Sequence, residues 1–226
     1  MTSVRIFISF SFMLLFGAGQ LIAQEDSVGY QTYIPTIKKL REALNARMYG
    51  GATAGFRTSN QSWGVRAGVS AEYYPKLSKE QALFYSIGGE ATYDYTNEGS
   101  EGEFQQNFDG FNIGPSASVN WIFLPAVLLY GQLQLEGGIG KSTQINPFSQ
   151  QRFVDNTTRL AAECNAGVSI FFDQANTQLD LKTNVANVVR WRRTNADNPD
   201  QRFSSTTASL GLNKSNTVQL SYRRRF

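Results

Sequence analysis

A period-two alternation that returns in segment after segment from Met48 to Phe226 predicts an all-β fold, an antiparallel up-and-down transmembrane β-barrel of eight strands preceded by a short helix. Three observations carry this expectation. One face of each segment is apolar and almost free of charge, as a lipid-facing band has to be, because a charge there costs about 2–4 kcal/mol at mid-bilayer. Aromatics gather near segment ends, at Tyr73-Tyr74, Phe84-Tyr85, Trp121 and Phe123, Phe171-Phe172 and Trp191, where rings with polar edges suit the headgroup level. Connections also alternate, with short ones at 75–80, 124–126 and 173–177 and longer polar ones at 96–107, 143–156 and 193–202. Closure follows, since hydrocarbon cannot satisfy an open sheet edge.

The chain begins with a stretch built like a secretory signal peptide, residues 1–23. Arg5 is the basic start, an apolar run spans Ile6 to Phe16, and a small-residue exit leads to a cut between Ala23 and Gln24. No Cys follows the apolar run, so a lipid anchor is not expected. Residues 24–47 form a periplasmic lead-in, in which Asp26-Ser27-Val28 matches a three-residue O-glycosylation sequon, a match frequent by chance. Within it Ile34, Ile37, Leu40, Arg41 and Leu44 are spaced for an amphipathic helix, with Pro35 tolerated in the first turn. Such a helix either packs on the barrel rim or plugs the lumen.

The barrel, residues 48–226, is then read strand by strand. The first runs from Met48 to Arg57 and is rich in Gly. From Trp63 to Tyr73 the apolar face holds Trp63, Val65, Ala67, Val69, Ala71 and Tyr73. Segments with Leu83, Tyr85 and Ile87, with Phe111, Ile113 and Val119, and with Leu129, Leu133 and Leu135 on the apolar side follow. Leu160, Cys164 and Val168, then Leu179, Leu181, Val185, Val189 and Trp191, continue the pattern. The remainder, Arg202 to Phe226, is either one long strand or a hairpin turning at Asn213-Lys214-Ser215-Asn216. Even strand numbers are the rule for such barrels, which favours eight with an extended final strand.

The opposite faces bring a charge network into the lumen: Arg66, Glu72, Glu90, Asp94, Glu136, Glu163, Asp180, Lys182, Arg190, Arg192 and Arg223. A near balance of acids and bases in a small barrel predicts ion pairs across a filled interior. The 226 residues contain no His and one Cys, Cys164, expected as a small hydrophobe on a strand. Without His, the general base on which outer-membrane barrel lipases, proteases and acyltransferases rely is missing, so no catalytic residue is assigned and no enzyme is expected. No phosphate loop or metal-ligand spacing stands out, and no cofactor or metal is expected. Lys+Arg 21 against Asp+Glu 18, dispersed along an exported chain, gives no support to nucleic-acid binding.

The chain resembles small outer-membrane β-barrel proteins of Bacteroidetes type, similar to the eight-stranded OmpA/OmpX-like barrels. The resemblance is carried by Tyr49-Gly50-Gly51-Ala52-Thr53-Ala54-Gly55-Phe56, Asn112-Ile113-Gly114-Pro115-Ser116, Ser209-Leu210-Gly211-Leu212-Asn213 and Ser221-Tyr222-Arg223-Arg224-Arg225-Phe226. It implies residence in the outer membrane of a Gram-negative bacterium, contact with outer-membrane lipid, and a C-terminal insertion signal at Tyr222 and Phe226 read by the insertion machinery. Arg224 departs from that signal, where an apolar residue is usual. The expected function is a structural or surface-interaction role for a monomer with a closed, charged lumen, the alternative being a narrow, porin-like path for ions or small solutes. Phe104, Phe148, Phe153 and Phe203, in or beside polar outer connections, are candidates to anchor an extracellular ligand.

Overall fold

The structure, a computed structural model, describes residues 37–58, 62–77, 83–98, 105–146, 148–149, 151–210 and 217–226. The signal peptide with its Ala23–Gln24 bond, the Asp26-Ser27-Val28 match, Phe104 and the candidate turn at residues 213–216 lie outside these residues.

One helix, α1 (Ile37–Leu44), precedes nine strands. These are β1 (Arg47–Thr58), β2 (Ser62–Tyr74), β3 (Leu83–Glu98), β4 (Gln105–Leu124), β5 (Val127–Ile145), β6 (Arg152–Phe172), β7 (Thr177–Asn195), β8 (Arg202–Leu210) and β9 (Thr217–Arg225). Each strand from β1 to β7 pairs antiparallel with the next. The sheet closes where β9 pairs with β1, from Tyr49↔Arg225 to Arg57↔Thr217, and with β7, from Thr177↔Arg224 to Thr183↔Val218.

Nine strands occupy eight places in the ring, because β8 and β9 lie in turn along the same edge of β7. Both run antiparallel to β7, so the chain does not reverse between them as a hairpin would require. Between Thr183 and Ala186 the register on β7 advances three residues while its partner advances eight, from Val218 back to Leu210. The eight-stranded expectation with a long final strand therefore holds, with that strand interrupted by five extra residues. β8 extends past the end of β1, and among the described residues it pairs with β7 alone.

The strands also run further than the sequence suggests. The flanks of the stretches expected as long loops continue the ladder, with Glu98 opposite Gln106, Ile145 opposite Arg152 and Thr194 opposite Arg202. Polar residues pair there as readily as apolar ones, because the backbone supplies the hydrogen bonds.

Burial is inverted relative to a water-soluble protein. Thr53, Ser70, Glu90, Asn112, Asn120, Gln134, Gln178 and Ser221 are buried inside the ring, while Val69, Tyr85, Phe111, Ile113, Val119, Leu133, Ile139 and Leu160 are exposed on its outside. An apolar surface of this extent is unfavourable against water and suits a hydrocarbon surround. Cys164 is exposed on this outer wall, as its strand parity requires.

The inner face turns apolar at the end that carries α1. Tyr49, Tyr74, Phe84, Ile122, Leu128 and Phe171 form a collar there, with Leu40 and Leu44 of α1 seated in it. The helix thus packs on the apolar inner face at the short-turn end of the barrel. Asn45 Oδ1 accepts the Leu77 amide at 2.9 Å, and Ala46 turns the chain into β1 at φ 53°. Ala175 joins the collar from a 3-10 turn, Asp173–Ala175, and its carbonyl accepts the Tyr49 hydroxyl at 2.5 Å. Tyr74, Phe84 and Phe171, placed by the sequence among boundary aromatics, belong to this interior collar; Tyr85, Trp121, Phe123 and Phe172 do face outward.

Candidate functional site

Inside the ring, polar side chains meet in three levels between the collar and the opposite mouth. Level one centres on Arg223 of β9. Its Nη1 lies 2.7 Å from Glu72 of β2 and 3.0 Å from Asp180 of β7, and its Nε donates to Ser70 Oγ at 2.8 Å. The two carboxylates are further satisfied, Glu72 by the Ser86 hydroxyl at 2.6 Å and Asp180 by Tyr130 at 3.2 Å and by Ser169.

Level two centres on Lys182 of β7. Its Nζ donates to Glu90 Oε1 at 2.5 Å, Gln134 Oε1 at 3.0 Å and Gln132 Oε1 at 3.1 Å. Gln219 of β9 donates to Glu90 Oε2 at 2.9 Å and to Thr53 Oγ1 at 2.6 Å. Level three is a chain of five charges. Asp94 pairs with Arg66 at 2.7 Å, Arg66 with Glu136 at 3.0 Å, Glu136 with Arg159, and Arg159 with Glu163 at 2.5 Å. Each level joins strands far apart in sequence, so the pairs brace the ring from within. Each of these charges has at least one opposite partner, the condition under which ions are tolerated away from bulk water.

Nine of the eleven charges that the sequence assigns to the lumen meet in this network: Arg66, Glu72, Glu90, Asp94, Glu136, Glu163, Asp180, Lys182 and Arg223. Arg190 and Arg192 do not, and are exposed on the outer wall. The cause is a β-bulge in β7. Cys164 pairs with Ala186 and Asn165 with Asn184, which leaves Val185 as an extra residue. One extra residue flips every later side chain to the other face. Gln178, Asp180, Lys182 and Asn184 point inward before it; Val189, Trp191 and Arg193 do so after it. Trp191 and Val189, expected on the lipid side, are thereby lumen residues.

Sequence reasoning missed Arg159, although strict alternation from its lipid-facing neighbour Leu160 puts Arg159 inside. Asp155 was missed because its stretch was expected to be loop, whereas β6 begins at Arg152.

Above level three lies an outward-opening vestibule. Its inner chamber is a cavity of about 420 Å³ bounded by Arg66, Arg159, Ser142, Thr157, Trp191 and Arg193. The Trp191 ring meets Phe108 edge to face at 5.1 Å, and the Arg159 guanidinium lies 5.8 Å from the Trp191 ring centre. A second chamber of about 520 Å³ continues outward, walled by Phe153, Phe203, Asp155 and Arg193. Two of the expected loop aromatics, Phe153 and Phe203, therefore flank this opening, while Phe148 stands clear on a turn. Tyr222 and Phe226, the expected insertion signal, lie at the seam-closing end of the chain with both rings exposed. Among the described residues, no group of three or more His, Cys, Asp and Glu is arranged to hold a metal ion.

Ring closure, inverted burial and an ion-paired interior define an antiparallel β-barrel of the inside-out kind. No protein-family model matches the chain, and no curated protein matches its sequence. Solved structures similar to it include Ail, the attachment invasion locus protein of Yersinia pestis, at 15% identity over 80% of this chain and 97% of that one, with a TM-score of 0.37. A major outer membrane protein from Thermus thermophilus is 13% identical over 79% of this chain and 99% of that one, at a TM-score of 0.39. The β domain of the Bordetella autotransporter Brka is 13% identical over 80% and 99% of the two chains, at 0.40.

Proposed function

We propose that this chain is an outer-membrane β-barrel protein of a Gram-negative bacterium, with a structural or surface-interaction role, a lumen closed to solutes and no catalytic activity. The observation that supports it best is the joint inversion of the two faces: a polar, ion-paired interior inside an apolar outer wall. Closure of the lumen is favoured by the three levels of cross-strand pairs and by α1 seated in the apolar collar. The protein acts as a monomer embedded in outer-membrane lipid, is delivered by the insertion machinery through its last strand, and presents its outer hairpins to an extracellular ligand.

Two experiments test this. Recovery of the protein in the membrane fraction after an alkaline wash, with heat-modifiable gel mobility, is expected; recovery in the soluble periplasmic fraction defeats the barrel assignment. Purified protein in planar bilayers is expected to give no unitary current steps. Reproducible steps would replace the closed lumen by the narrow pore.

A further inference from the structure

The outer wall carries its charges mainly on one sector. Among the described residues, the outward faces of β1 to β4 are uncharged apart from Asp109, whose carboxylate accepts the Tyr93 hydroxyl. The outward faces of β5 to β8 present Lys141, Arg152, Arg190, Arg192 and Arg202 and no acid. Arg190 and Arg192 are the centre of this cluster. Both are exposed, and among the described residues neither makes a hydrogen bond or an ion pair. The register sets them among hydroxyls: Arg192 lies opposite Thr158 of β6 and Ser204 of β8, and Arg190 opposite Thr206 of β8. Thr194, next on the same face, is opposite Arg202 on one side and Asn156 on the other, and Asn156 is opposite Lys141. Lys141 also faces Asp109 across the β4 ladder, so the unopposed charge is concentrated on β7 and β8. Toward the barrel middle, Arg190 is opposite Leu160, 58% exposed, and Val188 before it is 50% exposed. The cations therefore begin where the apolar belt ends, at the end of the ring away from the collar and α1.

A cation on a lipid-facing wall is costly in hydrocarbon and is tolerated at the headgroup boundary, where an anion can meet it. The bulge at Val185 is what turns these two arginines outward, so the fold delivers them to that boundary. Residues two apart on one face of a strand are separated by roughly 7 Å, close enough for both guanidiniums to engage one phosphate group. The planar fork of Arg matches phosphate oxygens with two parallel hydrogen bonds. The surrounding hydroxyls match the hydroxyl groups of a sugar. We propose that the outward face of β6 to β8, centred on Arg190 and Arg192, binds the phosphorylated sugar headgroup of an outer-leaflet glycolipid. Its phosphate lies on the two arginines and its sugar hydroxyls on Thr158, Ser204 and Thr206, with Lys141 and Arg202 flanking the site. Such a site rests on the outer-membrane reading above and adds to it the lipid that the barrel selects.

The test is native mass spectrometry of the full-length folded protein released from detergent micelles, with bis-phosphorylated lipid A as the probe. Lipid A stripped of its phosphates and phosphatidylglycerol are the controls. Lipid A is expected to be retained about tenfold more tightly than either control, since two cations beside an anionic headgroup account for a factor of about ten to thirty. Arg190→Gln combined with Arg192→Gln is expected to weaken lipid A by about tenfold or more, and the paired Lys substitutions, which keep the charge and lose the planar fork, by less. Arg224→Gln, which removes an outward cation at the opposite end of the wall, beside Gly50 and Thr177 in the ladder, is expected to leave retention unchanged. Folding of each variant is read from its heat-modifiable gel band, and Arg192→Gln alone, expected to weaken lipid A several-fold, reports on the site even where the double variant does not fold. Equal retention of lipid A and phosphatidylglycerol, wild-type retention in the arginine variants, an equal loss in Arg224→Gln, or no lipid A adduct on a heat-modifiable barrel would each overturn the proposal and leave the barrel assignment standing. A chain recovered in the soluble fraction with no heat-modifiable band overturns both.

Discussion

Replacing Arg223 by Met removes the centre of the level nearest the collar while keeping a long side chain in its place. Arg223 is 3% exposed, its Nη1 lies 2.7 Å from Glu72 and 3.0 Å from Asp180, and its Nε reaches Ser70 at 2.8 Å. At an effective dielectric of about 20, each of the two ion contacts is worth about 5–6 kcal/mol of attraction. Most of that is offset by the cost of taking three charges out of water. Deleting the cation leaves both carboxylates buried and facing each other with only neutral donors, Ser86, Tyr130, Ser169 and Gln178, around them. Breaking a buried pair in this way costs about 3–5 kcal/mol. Urea unfolding of the barrel in phospholipid vesicles, followed by tryptophan fluorescence and the heat-modifiable gel band, reads the loss as a lower midpoint at unchanged slope. The triple variant Glu72→Gln, Asp180→Asn, Arg223→Met leaves no stranded charge and is expected to recover most of the stability. An Arg223→Met protein within about 0.5 kcal/mol of wild type, the scatter expected of surface substitutions, refutes the reasoning. So does a triple variant no more stable than the single one.

The remaining predictions probe other parts of the same architecture. Ile113 is 70% exposed in the middle of β4, so Ile113→Arg is expected to cost about 2–4 kcal/mol in a bilayer, whereas a water-facing site would lose under about 0.5 kcal/mol; unfolding in vesicles separates the two. Gly51 lies at the closing seam, where an added Cβ would come within 1.9 Å of the Tyr222 carbonyl oxygen, so Gly51→Val is expected to reduce the folded, heat-modifiable fraction sharply, while Ala52→Val beside it, on the outer face, does not. Leu44→Asp places a charge in the apolar collar, and trypsin cleavage at Lys38 and Lys39 of α1 is expected to accelerate while the barrel itself stays folded. Unchanged cleavage would mean that the collar does not hold the helix.

How much of this was legible in the sequence follows from the range of each interaction. Strand periodicity depends on residues two apart, so the outer wall from Trp63 to Val168 and the inward placement of Glu72, Glu90, Glu136 and Asp180 could be read directly. The bulge at Val185 could not, because a single extra residue leaves no mark on a strand that looks regular on either side; it shows only in which residue of β6 faces which residue of β7. Arg190, Arg192, Val189 and Trp191 all changed sides for that one reason. The stretches near Gln105, Arg152 and Arg202 read as loops because they are polar, yet they pair, because a ladder needs backbone partners more than apolar side chains.

By itself, then, the sequence determined the fold class and the face on which most side chains lie, since both follow from local alternation and from a solvent that punishes charge on one side; the choice between one long final strand and a hairpin, and with it the eight places in the ring, was decided by β8 and β9 both running antiparallel along β7. Only the tertiary structure decided the partners: which acid meets which base, that Leu40 and Leu44 find a collar of inward aromatics, and that Ser142, Thr157 and Arg193 gather around one cavity. Those are contacts between strands brought together by closure and stagger of the ring, and the spacing of residues along a single strand carries no record of them.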